Sequence, residues 1–179
     1  MVGVLYAIDN VFPYGEFTPF QLLVPTTTSL AAGVLGLIGN SIAMGTEIST
    51  GMPTLDVAGP LGQVKFAVAW PCAGVESLLI FTAVSLLFLL RMRMSWKTKI
   101  GFFALGAVIT YFINVLRIAA IFTLGMQFGV NSIQVQDFHF IYGPLCAMAW
   151  IVSYPLIILA VGGVRRRTRK PQPAPLNPA

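Results

Sequence analysis

Four long apolar stretches follow one another along the chain, and short segments rich in polar and helix-breaking residues separate them. A helix that crosses a membrane needs about 20 mostly apolar residues, and the stretches approach or exceed that length. The pattern predicts an all-α integral membrane protein, a bundle of about four transmembrane helices over residues 21–45, 73–90, 100–125 and 139–163. Residues 1–163 then form a single transmembrane domain, and residues 164–179 form a basic, proline-rich tail.

The segment between the first and second predicted spans, residues 46–71, contains several helix-breaking residues, among them Pro53, Gly59, Pro60 and Gly62. We therefore expect a loop there. Inside it, "GQVKFAVAW" alternates large apolar residues with smaller or polar ones, which predicts a short strand at the membrane surface before the Cys72 helix. A polar segment at residues 126–138 is predicted to be a second loop.

Composition supports a membrane protein, because 56% of the residues are hydrophobic and 9% are charged. Soluble domains carry about 25% charged residues. The net charge of +5 equals five basic residues clustered in the tail, so the rest of the chain is neutral: Arg165, Arg166, Arg167, Arg169 and Lys170. Such a chain is not expected to bind nucleic acid, whereas a basic tail beside a membrane helix is typical of the cytoplasmic surface.

The basic residues also predict the orientation. Nine of the eleven lie in the tail and in "RMRMSWKTK", which follows the second predicted span. Cytoplasmic loops of membrane proteins are rich in Lys and Arg, so both segments are expected on the cytoplasmic side. Four spans then place the N-terminus in the cytoplasm as well, and residues 46–71 and 126–138 outside. The prediction is a multi-pass protein of the cell membrane.

Three reactive side chains, Cys72, Arg117 and His139, fall at one depth in three different predicted spans. At 1.5 Å per residue, Cys72 lies roughly 28 Å from Arg91 at the cytoplasmic edge, and Arg117 lies roughly 26 Å from Ile100. His139 lies roughly 39 Å from the tail along a helix that can tilt. All three therefore reach the outer surface of a hydrocarbon core about 30 Å thick.

The same three side chains match acyl transfer through a thioester. A thiol becomes a nucleophile when it loses its proton, and an imidazole can take that proton and later give one to a leaving amine. A guanidinium is always charged and can stabilise a developing oxyanion. Cys72 is therefore the candidate nucleophile, His139 the candidate acid and base, and Arg117 the candidate stabiliser, on the non-cytoplasmic face.

Structural roles for these residues stay open. Cys72 can be a small apolar residue in a helix, and His139 can bond a carbonyl at a helix start. Arg117 can form a structural ion pair with Glu76 or Asp137, because ionisable residues inside membranes usually have partners. Glu76, one helical turn after Cys72, can alternatively orient Arg117 or His139.

The second cysteine does not complete a metal site. Cys146 lies roughly 10 Å deeper along the helix axis than His139, so the two cannot share one zinc ion. Two Cys and one His also make a poor zinc ligand set. The same separation argues against a disulfide between Cys72 and Cys146, and neither a metal nor a cofactor is predicted.

Three short motifs resemble signatures of the exosortase/archaeosortase family. "PCAGVESL" resembles the family's Cys-x-Gly signature at the start of a span, "NVLRI" its Asn-x-x-Arg motif, and "HFIYG" its His motif. Their order, spacing and hydropathy agree over about residues 60–163. The chain departs from many relatives in having Ala73 after the Cys, where they have Ser or Thr, and in being shorter.

This resemblance implies a membrane-embedded cysteine transpeptidase. Such enzymes cut exported proteins near a C-terminal tripartite tag, which consists of a short motif, a hydrophobic helix and a basic end. They are thought to pass the acyl group to an acceptor, often a lipid. At the matching positions, Cys72, Arg117 and His139 keep the same roles, and Asn114 joins Glu76 and Asp137 as a supporting or substrate-binding residue.

Two other classes of function compete with the enzyme. A small membrane protein can serve as a non-catalytic scaffold or assembly subunit, with the same residues used for packing. A transporter or channel would need polar residues along the full depth of the bundle, whereas in this chain they cluster at one end.

Overall fold

The computed structural model describes Val11, residues 23–48 and residues 51–168, with the backbone alone at residues 70, 71 and 162–168. The elements in chain order are α1 (Val24–Leu37), β1 (Ser41–Thr46), β2 (Pro53–Gly59), β3 (Gly62–Ala67), a 3-10 turn (Trp70–Ala73), α2 (Val75–Arg91), α3 (Trp96–Phe128), α4 (Ile133–Asp137), a π-helical turn (Phe138–Tyr142) and α5 (Gly143–Thr168). Helix α5 continues past the predicted end of the fourth span at residue 163, and residues 169–179 of the predicted tail lie outside the described residues.

Helix α3 is the longest element. Its 33 residues make it roughly 50 Å long, which exceeds a hydrocarbon core of about 30 Å. The Ser95 hydroxyl caps its first turn by accepting a 3.4 Å hydrogen bond from the Thr98 N–H, and Gly129 ends it with φ of +90°. The end near Trp96 is called the basic end, after its cluster Arg91, Arg93, Lys97 and Lys99, and the end near Phe128 the sheet end.

Two helical runs in the described ranges are long and apolar enough to cross a membrane. One is α3, and the other is the run Ile133–Val161, which includes α4, the π-helical turn and most of α5. They correspond to the third and fourth predicted spans. Helix α2 corresponds to the second, but it has 17 residues. The prediction of a bundle of four spans is therefore supported only in part.

The first predicted span, residues 21–45, is wrong in its second half. Helix α1 has 14 residues and ends at Leu37, after which Gly39 adopts φ of +92° and the chain continues as strand β1. Near the start of α1, Thr27 bonds the Tyr111 hydroxyl close to the middle of α3 at 2.8 Å. Helix α1 therefore packs beside the sheet half of α3. Hydropathy alone does not separate a short buried helix from a strand.

An antiparallel three-stranded sheet, in the order β1-β2-β3, packs at the sheet end. Strand β3 confirms the strand predicted from "GQVKFAVAW". The predicted loop at residues 46–71 is wrong, because it also contains β2, and the predicted loop at residues 126–138 contains α4. Leu55 and Val57 of β2 are fully buried, and their removal from solvent favours the sheet. The protein is mostly helical rather than all-α.

Two apolar cores lie along α3. Near the sheet end, Phe122 packs edge-on against Phe66 of β3, with ring centroids 5.1 Å apart. Near the basic end, α2 and α5 pack on α3 around Phe81, Tyr154 and Ile158. The segments that carry the predicted site residues meet between these two cores.

Candidate functional site

Cys72 lies in the 3-10 turn that joins strand β3 to helix α2. Its N–H donates to the carbonyl oxygen of Ala69 at 3.0 Å. Gly74 follows in the left-handed region, with φ of +82°, and α2 begins at the next residue. A Cβ at Gly74 would lie 2.6 Å from Cγ of Asn114. Both the conformation and the close approach therefore require glycine at this position.

The Cys72 turn is tied to two helices through its carbonyl groups. Asn114 of α3, which is buried, donates from Nδ2 to the Cys72 carbonyl oxygen at 2.8 Å. The Thr27 hydroxyl of α1 bonds the Tyr111 hydroxyl at 2.8 Å and shares its one proton between the carbonyl oxygens of Leu23, at 2.8 Å, and Ala73, at 3.4 Å. Buried hydrogen bonds of this kind fix the main chain, so the cysteine has a defined position relative to α3.

His139 lies in the π-helical turn between α4 and α5. In this turn the Gly143 N–H donates to the Phe138 carbonyl oxygen, five residues back, instead of to His139. The next residue, Pro144, has no N–H to offer. The carbonyl oxygen of His139 is thus left without the donors that a helix provides, and Arg117 Nη2 donates to it at 2.7 Å.

Arg117 reaches this carbonyl across Gly143. A Cβ at Gly143 would contact Nε and Cδ of Arg117, and it would lie 2.9 Å from the Phe138 carbonyl oxygen. Within the described residues, Arg117 Nε is buried and has no hydrogen-bond partner. Gly143 and Pro144 were not predicted as site residues, although a Gly-Pro pair directly after a histidine motif is a sequence signal for interrupted helical hydrogen bonding.

Two clefts meet at Cys72 and His139. The sheet-side cleft, of about 270 Å³, is also lined by Phe66 and Ala67 of β3, by the following residue Val68, by α3 and by Gln136 of α4. The helix-side cleft, of about 280 Å³, runs between α2 and α5 and is also lined by Glu76, Ser77, Arg117 and Met148. A chain passing from one cleft to the other would cross the thiol and the imidazole.

Three effects act in different directions on the pKa of the Cys72 thiol. Burial raises the pKa of the Cys72 thiol above its ordinary value, the Arg117 guanidinium lowers it, and the Glu76 carboxylate raises it again. Burial is the largest contribution, so the thiol is protonated near neutral pH. A nucleophilic role for Cys72 therefore requires a neighbouring base to take the proton, and His139 lines the same clefts.

The predicted site residues are not all brought together. Cys72, Arg117 and His139 converge, and Asn114 lies directly behind the Cys72 turn. Glu76 is exposed along the helix-side cleft.

Asp137 is half-buried and is absent from the lining of both clefts. In the described part of the chain, no ion pair joins Arg117 to Asp137 or to Glu76, and the hydrogen bond of Arg117 goes to a carbonyl instead. The structural ion pair considered for Arg117 is not formed.

The cysteines are separate free thiols. Cys72 is half-buried, whereas Cys146 is exposed on α5. Among the residues that the structure describes, no group of three or more His, Cys, Asp or Glu side chains could hold a metal ion.

Comparison with known proteins gave one family. The family model described as "Transmembrane exosortase (Exosortase_EpsH)" matches residues 3–157 of the 179-residue chain. This match includes the Cys72 turn, the middle of α3 and the π-helical turn. Neither the curated proteins nor the solved structures gave a significant match.

Proposed function

Because the chain belongs to the transmembrane exosortase family, we propose that it is a membrane cysteine transpeptidase that cleaves a C-terminal sorting tag through a thioester. The family match confirms the resemblance stated from the three motifs. One observation carries the proposal: Cys72, Arg117 and His139, from three separate segments, line one cleft, and Cys72 and His139 also line the second.

In the first half of the proposed reaction, His139 takes the proton of the Cys72 thiol. The thiolate sulfur attacks the scissile carbonyl carbon, forming a tetrahedral intermediate whose oxygen carries the negative charge. Collapse of the intermediate breaks the C–N bond, and the imidazolium of His139 gives its proton to the leaving amine. The products are a thioester on Cys72 and the released tag with a free amino terminus.

In the second half, an acceptor hydroxyl, amine or water attacks the thioester carbonyl. His139 takes the proton of the acceptor, the C–S bond breaks, and the proton returns to the Cys72 sulfur. The acyl group leaves on the acceptor, which is a lipid or another nucleophile, or as a carboxylic acid if the acceptor is water. Both outcomes pass through the same thioester.

We assign the stabilisation of the oxyanion to Arg117 and to the start of α2. The first main-chain hydrogen bond of α2 is from Leu78 to Gly74, so the preceding N–H groups of the helix have no acceptor inside it. Two of them belong to Glu76 and Ser77, which line the helix-side cleft beside Cys72. Main-chain donors can thus serve where many relatives carry a hydroxyl at the position of Ala73.

The supporting residues act at different distances from the reaction. Asn114 is a positioning residue, because its amide holds the Cys72 carbonyl. We assign Glu76 a role at the wall of the helix-side cleft and Asp137 a role in placing the segment that carries His139. No cofactor is required for this chemistry.

The proposed substrates are exported proteins whose C-terminus carries a short motif, a hydrophobic helix and a basic end. The protein would lie in the cell membrane with several spans, with its site on the non-cytoplasmic face and with both termini in the cytoplasm. The basic end supports this orientation, because the site lies toward the sheet end, away from Arg91, Arg93, Lys97 and Lys99.

The test is tag removal in cells. Exported proteins from the same source that end in a short motif, an apolar run and Arg or Lys are co-expressed with wild-type chain, with Cys72→Ala and with Cys146→Ala. We expect processing to stop in Cys72→Ala and to continue in Cys146→Ala, since Cys146 is exposed and lines neither cleft. Unchanged processing in Cys72→Ala would contradict the proposal and favour the scaffold role.

A further inference from the structure

Strand β3 is the edge of the sheet, and the cleft beside Cys72 lies along its last residues. In an antiparallel pair, opposite residues alternate between those that exchange main-chain hydrogen bonds with the partner strand and those that do not. The Val68 N–H donates to the Pro53 carbonyl oxygen at 2.9 Å. Counting back along the register, Phe66 and Val64 also bond β2, whereas Ala67 and Lys65 do not.

The register between β1 and β2 independently identifies the same outward-pointing residues of β3. The Glu47 N–H donates to the Met52 carbonyl oxygen, so Thr54 and Asp56 of β2 bond β1. These two residues lie opposite Ala67 and Lys65. The N–H and C=O groups of Ala67 and Lys65 therefore point away from the sheet, and the described part of the chain offers them no main-chain partner.

The sheet-side cleft borders the end of this edge strand. Phe66 and Ala67 of β3 line it together with Gln136, His139 and Phe140. Its floor is apolar, formed by Ile118, Ile121 and Phe122 of α3. An extended peptide presents main-chain groups every second residue on one edge, which matches the spacing from Lys65 to Ala67, and it directs alternate side chains toward such a floor.

From these features we infer that the substrate segment N-terminal to the cut binds as an added strand on the free edge of β3. This inference rests on the proposed function, because the strand leads its scissile carbonyl to Cys72. Main-chain hydrogen bonds to Ala67 and Lys65 supply the register, and the apolar floor selects apolar side chains at the positions that face it. The segment C-terminal to the cut then enters the helix-side cleft between α2 and α5.

A single substitution can remove a hydrogen-bond donor from this free edge without disturbing the bonds inside the sheet. Ala67→Pro removes the outward N–H and leaves the bonds between β2 and β3 in place, because the Ala67 N–H makes none of them. Gln63→Pro is the matched control, since Gln63 has the same outward register but is absent from the cleft lining.

Using the substrate processed in cells, we expect Ala67→Pro to slow processing roughly tenfold, as the loss of one hydrogen bond implies. The Gln63→Pro variant should stay within about twofold of wild type. Alkylation of Cys72 by iodoacetamide should be unchanged in both variants, which shows that the Cys72 turn is intact. Wild-type processing in Ala67→Pro overturns the strand inference and leaves the proposed function standing.

Disulfide cross-linking tests the same inference without relying on a proline. In a chain that carries Cys72→Ala and Cys146→Ala, either Ala67→Cys or Met148→Cys is added. It is combined with a series of substrate variants, each of which carries one cysteine at a different position. We expect Ala67→Cys to capture residues N-terminal to the cut and Met148→Cys to capture residues C-terminal to it. The reverse pattern, or no capture by Ala67→Cys, overturns the inference. Processing that persists in Cys72→Ala removes both the inference and the proposed function.

Discussion

Arg117 holds His139 by its main chain and leaves the imidazole ring free. The guanidinium donates from Nη2 to the His139 carbonyl oxygen at 2.7 Å. Within the described residues, neither ring nitrogen of His139 has a hydrogen-bond partner. A histidine that is held in this way keeps both nitrogens available for proton transfer, while its position relative to α3 is fixed.

Replacing Arg117 by lysine should show whether Arg117 acts through its positive charge alone or also through the planar shape of its guanidinium. An ammonium group keeps the positive charge but lacks the planar fork that can hold a carbonyl and face the cleft together. We expect Arg117→Lys to lower the rate of tag processing about 100-fold, mostly in kcat. Arg93→Lys is the control, because Arg93 is exposed at the basic end. A wild-type rate in Arg117→Lys would show that charge alone suffices.

Gly143→Ala should destabilise the site. The added methyl group would contact Arg117 Nε and the Phe138 carbonyl oxygen, so the π-helical turn or the guanidinium must move. We expect a loss of about 1–3 kcal/mol of stability, measured as a lower Tm in detergent, together with slower processing. Gly101→Ala should be neutral or stabilising by up to about 1 kcal/mol, because a Cβ there meets no other group. Equal Tm values for the two variants would contradict the clash.

Asn114→Asp should impair Cys72 through charge as well as through a lost hydrogen bond. The Asn114 amide donates to the Cys72 carbonyl oxygen, and a carboxylate cannot donate. A negative charge behind the turn should also raise the pKa of the Cys72 thiol. We expect alkylation of Cys72 at pH 8 to be about tenfold slower in Asn114→Asp than in Asn114→Ala. Equal rates would mean that Asn114 acts only through the hydrogen bond.

The reactivity of Cys72 should rise through the whole neutral pH range. Burial raises the pKa of the thiol above its ordinary value, so the reactive thiolate is a minor species below that pKa. In a Cys146→Ala chain, alkylation of Cys72 should accelerate roughly tenfold per pH unit from pH 6 to 8, without reaching a plateau.

Arg117→Gln should slow this reaction at every pH in that range, because the guanidinium lowers the thiol pKa. A plateau below pH 7 in the Cys146→Ala chain would show a thiolate that is already formed, and would contradict a raised pKa for Cys72.

Depth along the helices could be predicted because the rise of an α-helix is constant. Counting residues from the basic segments placed Cys72, Arg117 and His139 in one layer, and in the structure all three line the helix-side cleft. Their roles in catalysis stay predictions. Asn114 was named through the resemblance to the family, and its hydrogen bond to the Cys72 carbonyl gives it a physical role.

Other features could not be predicted from hydropathy. The stretch at residues 21–45 has no charged residue and is mostly apolar. It nevertheless contains both helix α1 and strand β1, because β1 pairs with β2, a strand that lies further along the chain. Asp137 was predicted to be a supporting or substrate-binding residue, or an ion-pair partner of Arg117. It is absent from the lining of both clefts, since the direction of a side chain depends on the local helical register.

Some features of this protein can thus be read from its sequence, and others are decided only by its tertiary structure. Membrane character, the long helices, the family and the layer of reactive residues can all be read from composition, spacing and motifs, because these depend on hydrophobicity and on the fixed rise of a helix. Tertiary packing alone decided that a sheet edge lies beside Cys72 and that Arg117 donates to the His139 carbonyl oxygen. Both depend on hydrogen bonds between segments distant in sequence, and local patterns carry no information about such partners.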